Sequence, residues 1–222
     1  MRLYRPMLFA LLPLFASCQV FTERSVDPGA HHTRLQGEIS HQGDQLLLRP
    51  CQEQRRFVIE GTQSDLAREA APLFAAGATQ LFADVRGQLG GTPQAGVDGS
   101  LDVSRVYQLN HEGPGCEDPN FKRLLIQASG HEPDWQLNAS GRGLVLNRPG
   151  QAPLALPYLE EQLPDGRLNL TSEANGQRLE LWAAPGRCVD SMSGNVQHLT
   201  AELRLDGQVM RGCAHFGGAR ND

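Results

Sequence analysis

Five short turn signals in the C-terminal half leave this chain little choice of architecture. Ser140-Gly141, Arg148-Pro149-Gly150, Pro164-Asp165-Gly166, Asn175-Gly176 and Asp206-Gly207 each supply residues that take turn or left-handed backbone at low cost. The runs between them are too short for stable helices and carry apolar or alternating patterns. They fall at 123–128, 135–139, 144–147, 153–156, 167–170, 178–182, 196–205 and 208–213. Closely spaced short strands of this kind predict a small antiparallel β-barrel over residues 116–214. Asp206-Gly207 is the strongest hairpin signal, because it joins two alternating runs directly. Trp135 and Trp182 lie in apolar runs and read as core anchors, and residues 215–222 read as a disordered tail.

The first half has a different pattern. Strands are expected at 35–40, 45–49 and 56–60, the first two joined by a turn at His41-Gln42-Gly43-Asp44. Ser64 offers a helix N-cap and Asp65 an acid at the positive end of the dipole. Leu66, Ala70, Leu73 and Phe74 then mark one apolar helical face that ends near Gly77. Two more strands follow at 80–89 and 101–109, separated by a Gly- and Pro-rich loop. The order β-β-β-α-β-β is that of a five-stranded OB barrel, here at 34–112. His111-Glu112-Gly113-Pro114-Gly115 reads as the boundary between the two halves. The fold class expected is therefore mainly β: an OB-like barrel with one helix, then a small antiparallel β-barrel.

The N-terminus is read separately. Arg2 and Arg5 precede an apolar stretch from Met7 to Phe15, and the small residues Ala16 and Ser17 lead into Cys18. This is the charged, apolar, small order of a signal peptide over 1–17. Leu14-Phe15-Ala16-Ser17-Cys18 resembles the bacterial lipobox. The resemblance implies that the Cys18 thiol is lipidated, with palmitate among the acyl chains, and that residues 18–33 tether the protein to a membrane. Gln19 after the cysteine implies transfer to the outer membrane, on its periplasmic side. The whole chain carries 20 Lys and Arg against 25 Asp and Glu, a net charge of −5. Loss of Arg2 and Arg5 with the leader makes the mature chain more acidic still, which argues against nucleic acid as a partner. Cys51, Cys116, Cys188 and Cys213 remain for two disulfides in an oxidising compartment, with three connectivities open. Cys51–Cys116 and Cys188–Cys213 are favoured because each closes within one half. Chain entropy assigns such loops about 4 and about 3.5 kcal/mol.

Two further resemblances follow from the residues. Gly37-Glu38-Ile39, Leu48-Arg49-Pro50-Cys51, Arg56-Phe57 and Val85-Arg86-Gly87 look like the OB-type domain of the envelope-stress lipoprotein NlpE; the Cys-x-x-Cys pair of that protein's other domain is absent here. Ala128-Ser129-Gly130-His131-Glu132-Pro133-Asp134-Trp135 resembles the A-x-G-x-E-P-x-W opening of a family of uncharacterised Gram-negative envelope lipoproteins. Arg187-Cys188-Val189-Asp190-Ser191-Met192-Ser193 resembles that family's C-x-D-x-M-S segment, and Gly212-Cys213-Ala214 its closing G-C-A. The strand-rich, disulfide-closed layout is also similar in architecture to membrane-bound inhibitors of c-type lysozyme.

Catalytic patterns do not emerge. His111-Glu112 and His131-Glu132 each start a zinc-protease H-E-x-x-H motif but lack its second histidine, and no Cys-x-x-Cys pair exists. Gly-x-Ser-x-Gly and Ser-x-x-Lys are absent, and the single lysine is Lys122. No catalytic residue, metal or cofactor is therefore expected, and Asp190 is read as the cap of a rigid turn. The expected role is a non-enzymatic binding, structural or envelope-stress module, lipid-anchored and meeting an envelope protein partner. Gly130, Glu132, Pro133 and Trp135, with Asp190, Ser191, Met192 and Ser193, are the candidate contact loops. Inhibition of a cell-wall hydrolase such as c-type lysozyme is the alternative.

Overall fold

The computed structural model describes residues 32–61 and 65–220. The signal peptide, Cys18, nearly all of the tether and the Ser64 cap lie outside the described residues. The described residues are mainly β, with 60% of them in strands and 11% helical. They form one compact unit, built around two hydrophobic cores.

The first core lies in a closed five-stranded barrel. Its strands are β1 (His32–Gln42), β2 (Gln45–Pro50), β3 (Phe57–Ile59), β4 (Leu81–Gly90) and β5 (Gly99–Asn110), with helix α1 (Asp65–Ala75) between the third and fourth. β1 pairs antiparallel with both β2 and β4, β4 with β5, and the ring closes through a parallel β3–β5 contact. That is OB topology, with the helix where the sequence predicts it. Leu66, Ala70 and Leu73 face the core from one side of α1. The helix stops at Gly77, whose φ of +104° is costly for any residue with a Cβ. There Ala78 N–H reaches back to Leu73 O and Gly77 N–H to Phe74 O, which satisfies carbonyls that the helix end leaves unpaired.

The second core is wrapped by a nine-stranded antiparallel sheet. Its strands are β6 (Leu124–His131), β7 (Asp134–Ser140), β8 (Gly143–Asn147), β9 (Leu154–Leu156), β10 (Leu159–Leu163), β11 (Arg167–Ala174), β12 (Gln177–Val189), β13 (Val196–Leu205) and β14 (Gln208–Phe216). They run in the order β10-β11-β12-β13-β14-β6-β7-β8-β9. The roll brings its two edges to consecutive strands, joined by Pro157 and Tyr158, and the Tyr158 hydroxyl donates to Ser140 O at 3.0 Å. Alternation is strict along β6, where Leu124, Ile126 and Ala128 face the core and Leu125, Gln127 and Ser129 do not.

The two cores are stitched together. β13 pairs with β5 at Val196↔Leu109 and Gln197↔Gln108. Tyr107 of β5 belongs to the second core and Val196 of β13 to the first. Arg34, on the outer face of the first barrel, forks onto the fully buried Asp84 at 2.5 and 3.0 Å. The same guanidinium donates to the carbonyls of Phe216, Gly217 and Arg220 at 2.7–3.1 Å and lies 4.0 Å from the Tyr107 ring centroid.

Those contacts correct one expectation. Residues 215–220 are not a disordered tail: β14 runs on to Phe216, His215 and Phe216 are buried, and the following backbone bonds to Phe121 and Leu124. A second correction concerns Trp182, which is 37% exposed rather than a core anchor. Leu179, Leu181 and Ala183 face inward, so the two-residue period sends Trp182 to the opposite face, where its indole N–H donates to Glu180. Strand β10 is an addition; its sequence, Leu-Glu-Glu-Gln-Leu, reads as polar loop because an edge strand carries charges that discourage further pairing. The cysteines join as Cys51–Cys116 and Cys188–Cys213, with Cα–Cα distances of 5.3 and 5.5 Å. The first ties the loop after β2 to the turn after β5, and the second ties β12 to β14, the two neighbours of β13.

Candidate functional site

The two segments singled out in the sequence lie side by side. The first is the tip of the β6–β7 hairpin, where His131 pairs with Asp134 around Glu132-Pro133, whose peptide bond is cis. The second is the loop from Asp190 to Asn195 between β12 and β13. That loop is closed by its own backbone, Gly194 N–H to Asp190 O and Asp190 N–H to Asn195 O, both at 2.8 Å. Asp190 caps it from within: its Oδ1 accepts the backbone N–H groups of Met192 and Ser193 and the Ser193 hydroxyl. Its other oxygen receives His131 Nε2 at 2.7 Å, while His131 Nδ1 faces Asp134 Oδ1 at 3.1 Å. Two loops 59 positions apart are thereby clamped.

The electrostatics favour the charged pair. The hydrogen bond that His131 donates to Asp190 raises the His131 pKa above its ordinary value; burial opposes this and Asp134 adds to it. Burial pushes the Asp190 carboxyl up, but the Ser193 backbone and hydroxyl, His131 and the Met192 backbone together hold it below the usual range. Each shift has its own window. The raised histidine contributes stability in full below about pH 6.5 and loses it as pH climbs through its folded pKa. The lowered carboxylate contributes above the ordinary aspartate value and loses its share as pH falls through the folded pKa. Chemically, the clamp is ill suited to catalysis. Both imidazole nitrogens face carboxylates, and the Ser193 hydroxyl is donated to Asp190 rather than to the ring, so no base stands ready to activate it.

Most residues of the A-x-G-x-E-P-x-W and G-C-A segments have packing roles. Ala128 and Ala214, opposite one another on β6 and β14, are fully buried. A Cβ on Gly130 would collide with Arg211 O, and one on Gly212 with Ser129 O, so both glycines allow the two backbones to meet. Trp135 lies against Gly130 and is buried. Among the candidate contact residues, then, Gly130, Trp135 and Asp190 are buried, while Ser193 is half-buried and bound to Asp190. Glu132, Pro133, Ser191 and Met192 are exposed, and Met192 is 78% so. The surface offered by the candidate residues is this second set.

Beside the clamp opens a cavity of about 620 Å³, bounded by β5, the turn at 112–121, the β6–β7 hairpin and the loop after β12. Asp190, Met192 and Ser193 of its lining are candidates the sequence singled out; its floor is not. Gln127, Ser129, Gln136 and Asn138 project from the outer face of β6 and β7, with Gln108 and Gln197 among the other residues around them. A signal for it exists in retrospect. The outward positions of these two strands carry amides and a hydroxyl where a solvated sheet face usually carries Lys, Arg or Glu. Among the described residues, no three of His, Cys, Asp and Glu converge to hold a metal, and no helix is long and apolar enough to cross a membrane. Compared with known proteins, the chain matches no family model, no curated protein and no solved structure.

Proposed function

We propose that this protein is a lipid-anchored, non-catalytic binding module of the periplasmic face of the outer membrane. The observation that carries the binding role is the clamped rim beside the cavity. Its histidine, aspartate and serine are engaged with one another, which rigidifies the two loops and leaves exposed side chains around an open polar hollow. Rigid loops lose little conformational entropy when a partner docks. The anchored location is supported by the lipobox-like segment ending in Cys18 and by the two disulfides, which suit an oxidising compartment. The resemblance of three segments to Gram-negative envelope lipoproteins supports the same reading.

Two measurements test it. In a Gram-negative host, metabolic labelling with a palmitate analogue is expected to mark the wild type and not Cys18→Ser, and the variant is expected to leave the membrane fraction. Equal labelling of both would end the anchored account. For the rim, a photo-crosslinking amino acid in place of Met192 is expected to give a discrete adduct in cells. The same group in place of Val209, exposed on β14, is expected to give none. Adducts at neither site, or equally at both, would reject a role for the rim. Asp190→Ala is unsuitable as a surface probe. It removes four hydrogen bonds, one of them charged at both ends, and is expected to cost about 2 kcal/mol in urea unfolding.

A further inference from the structure

We infer that the cavity beside the clamp is a binding site for a neutral saccharide, which rests on the proposed binding role and adds the chemistry of the ligand. Its floor is the outer face of the β6–β7 hairpin, where Gln127 stands opposite Asn138 and Ser129 opposite Gln136. The backbone groups there are spent in the ladder, so side-chain amides and a hydroxyl are what the floor presents. On β5, Asn110 and Gln108 are joined to each other at 3.0 Å, Asn110 Nδ2 donating. Among the described residues, Gln127 and Gln136 have no side-chain hydrogen bond within the protein. Asn138, half-buried beside them, lines the same floor.

The chemistry narrows the ligand. Each amide offers both donors and an acceptor, and a sugar hydroxyl is likewise both at once. Phe82 and Phe121 also line the cavity and provide apolar faces for ring C–H groups. An anionic ligand is disfavoured, because the carboxylates of Glu112, Asp118 and Asp190 line the cavity, and the floor itself offers neutral amides and a hydroxyl. An extended peptide would seek an unpaired sheet edge, whereas this floor is a sheet face. The volume of about 620 Å³ lies within the span of sites for small molecules.

The test is calorimetric titration of the full-length lipoprotein, in detergent, with chitotetraose, cellotetraose and maltotetraose. At least one is expected to bind with a Kd below about 1 mM, and Q127L/Q136L to weaken it about tenfold or more without a change in unfolding midpoint. Should that variant fail to fold, Asn110→Ala on β5 carries the same expectation. No heat with any of the three at about 10 mM, or equal binding by the folded variant, would overturn the inference. A discrete adduct at position 192 of the otherwise wild-type protein, with no saccharide bound, would sink the saccharide while sparing the binding module; no adduct and no saccharide would sink the two together.

Discussion

Arg34→Met is expected to lower the free energy of unfolding by about 3–5 kcal/mol, the range for breaking one side of a buried ion pair. Asp84 is fully buried, and burial pushes its carboxyl up while Arg34 and Gln36 pull it down. Without the guanidinium, the carboxylate either stays charged and uncompensated or takes up a proton, and both outcomes cost stability. The three carbonyls of Phe216, Gly217 and Arg220 lose a donor at the same stroke. The C-terminal segment should therefore loosen as the barrel weakens. Urea unfolding followed by the fluorescence of buried Trp135 reads the first effect, and amide exchange of residues 216–220 the second. R34M/D84L should recover part of the loss, because a hydrophobic pair removes the stranded charge. A loss below about 1 kcal/mol for Arg34→Met, typical of exposed ion pairs, would show that this pair does not hold the segment.

Acid should unfold the protein through two histidines near the same junction. His198 donates from Nδ1 to Tyr107 O at 2.8 Å and lies edge-on to Tyr107 and Phe216, each 5.0 Å between centroids. Burial pushes it down to about 4, against the Tyr107 carbonyl, with Arg34 and Arg105 adding to the depression. His215, buried with Nδ1 against Gln197, is pushed down to about 3 by burial, by His198 and by Arg34. Unfolded, both would titrate near 6.5. Below that value the unfolded chain binds protons that the folded chain refuses, so stability falls as pH drops from about 6.5 toward the folded values. Each histidine then costs about 3 kcal/mol by pH 4. The raised His131 already contributes in full below about pH 6.5, so the clamp holds while the junction weakens. Urea unfolding at pH 7 and at about pH 4.5 should give a steep loss for the wild type and a shallower one for His198→Gln, which cannot be protonated. Parallel pH dependence in the two proteins would remove His198 from the account.

Much of the fold was legible because its signals are local. A turn needs one or two residues able to take unusual backbone, and a strand announces its buried face every second residue. Asp206-Gly207 duly joins β13 to β14, and Leu66, Ala70 and Leu73 form the buried face of α1. The cysteine pairs followed from their division between the halves. The candidate segments were legible as motifs, and two roles with them: Asp190 caps its loop and Trp135 is buried in the core. The role of Gly130, which lets β6 meet β14 at Arg211, is one that no spacing of residues along the chain could express.

By itself, then, the sequence determined every strand but the charged edge strand β10, the turns, the helix and the order of the barrel, since each depends on a few neighbouring residues. Tertiary structure alone decided which polar groups meet. The Arg34 guanidinium finds a carbonyl 186 positions away, His131 finds Asp190 across 59, and outward-facing amides become the floor of a cavity. The tail is ordered for the same reason: its partners, Arg34, Phe121 and Leu124, reach it only after the sheet has rolled and β5 has paired with β13. Such contacts arise from closure of the sheet, a property of the whole chain that local periodicity does not encode.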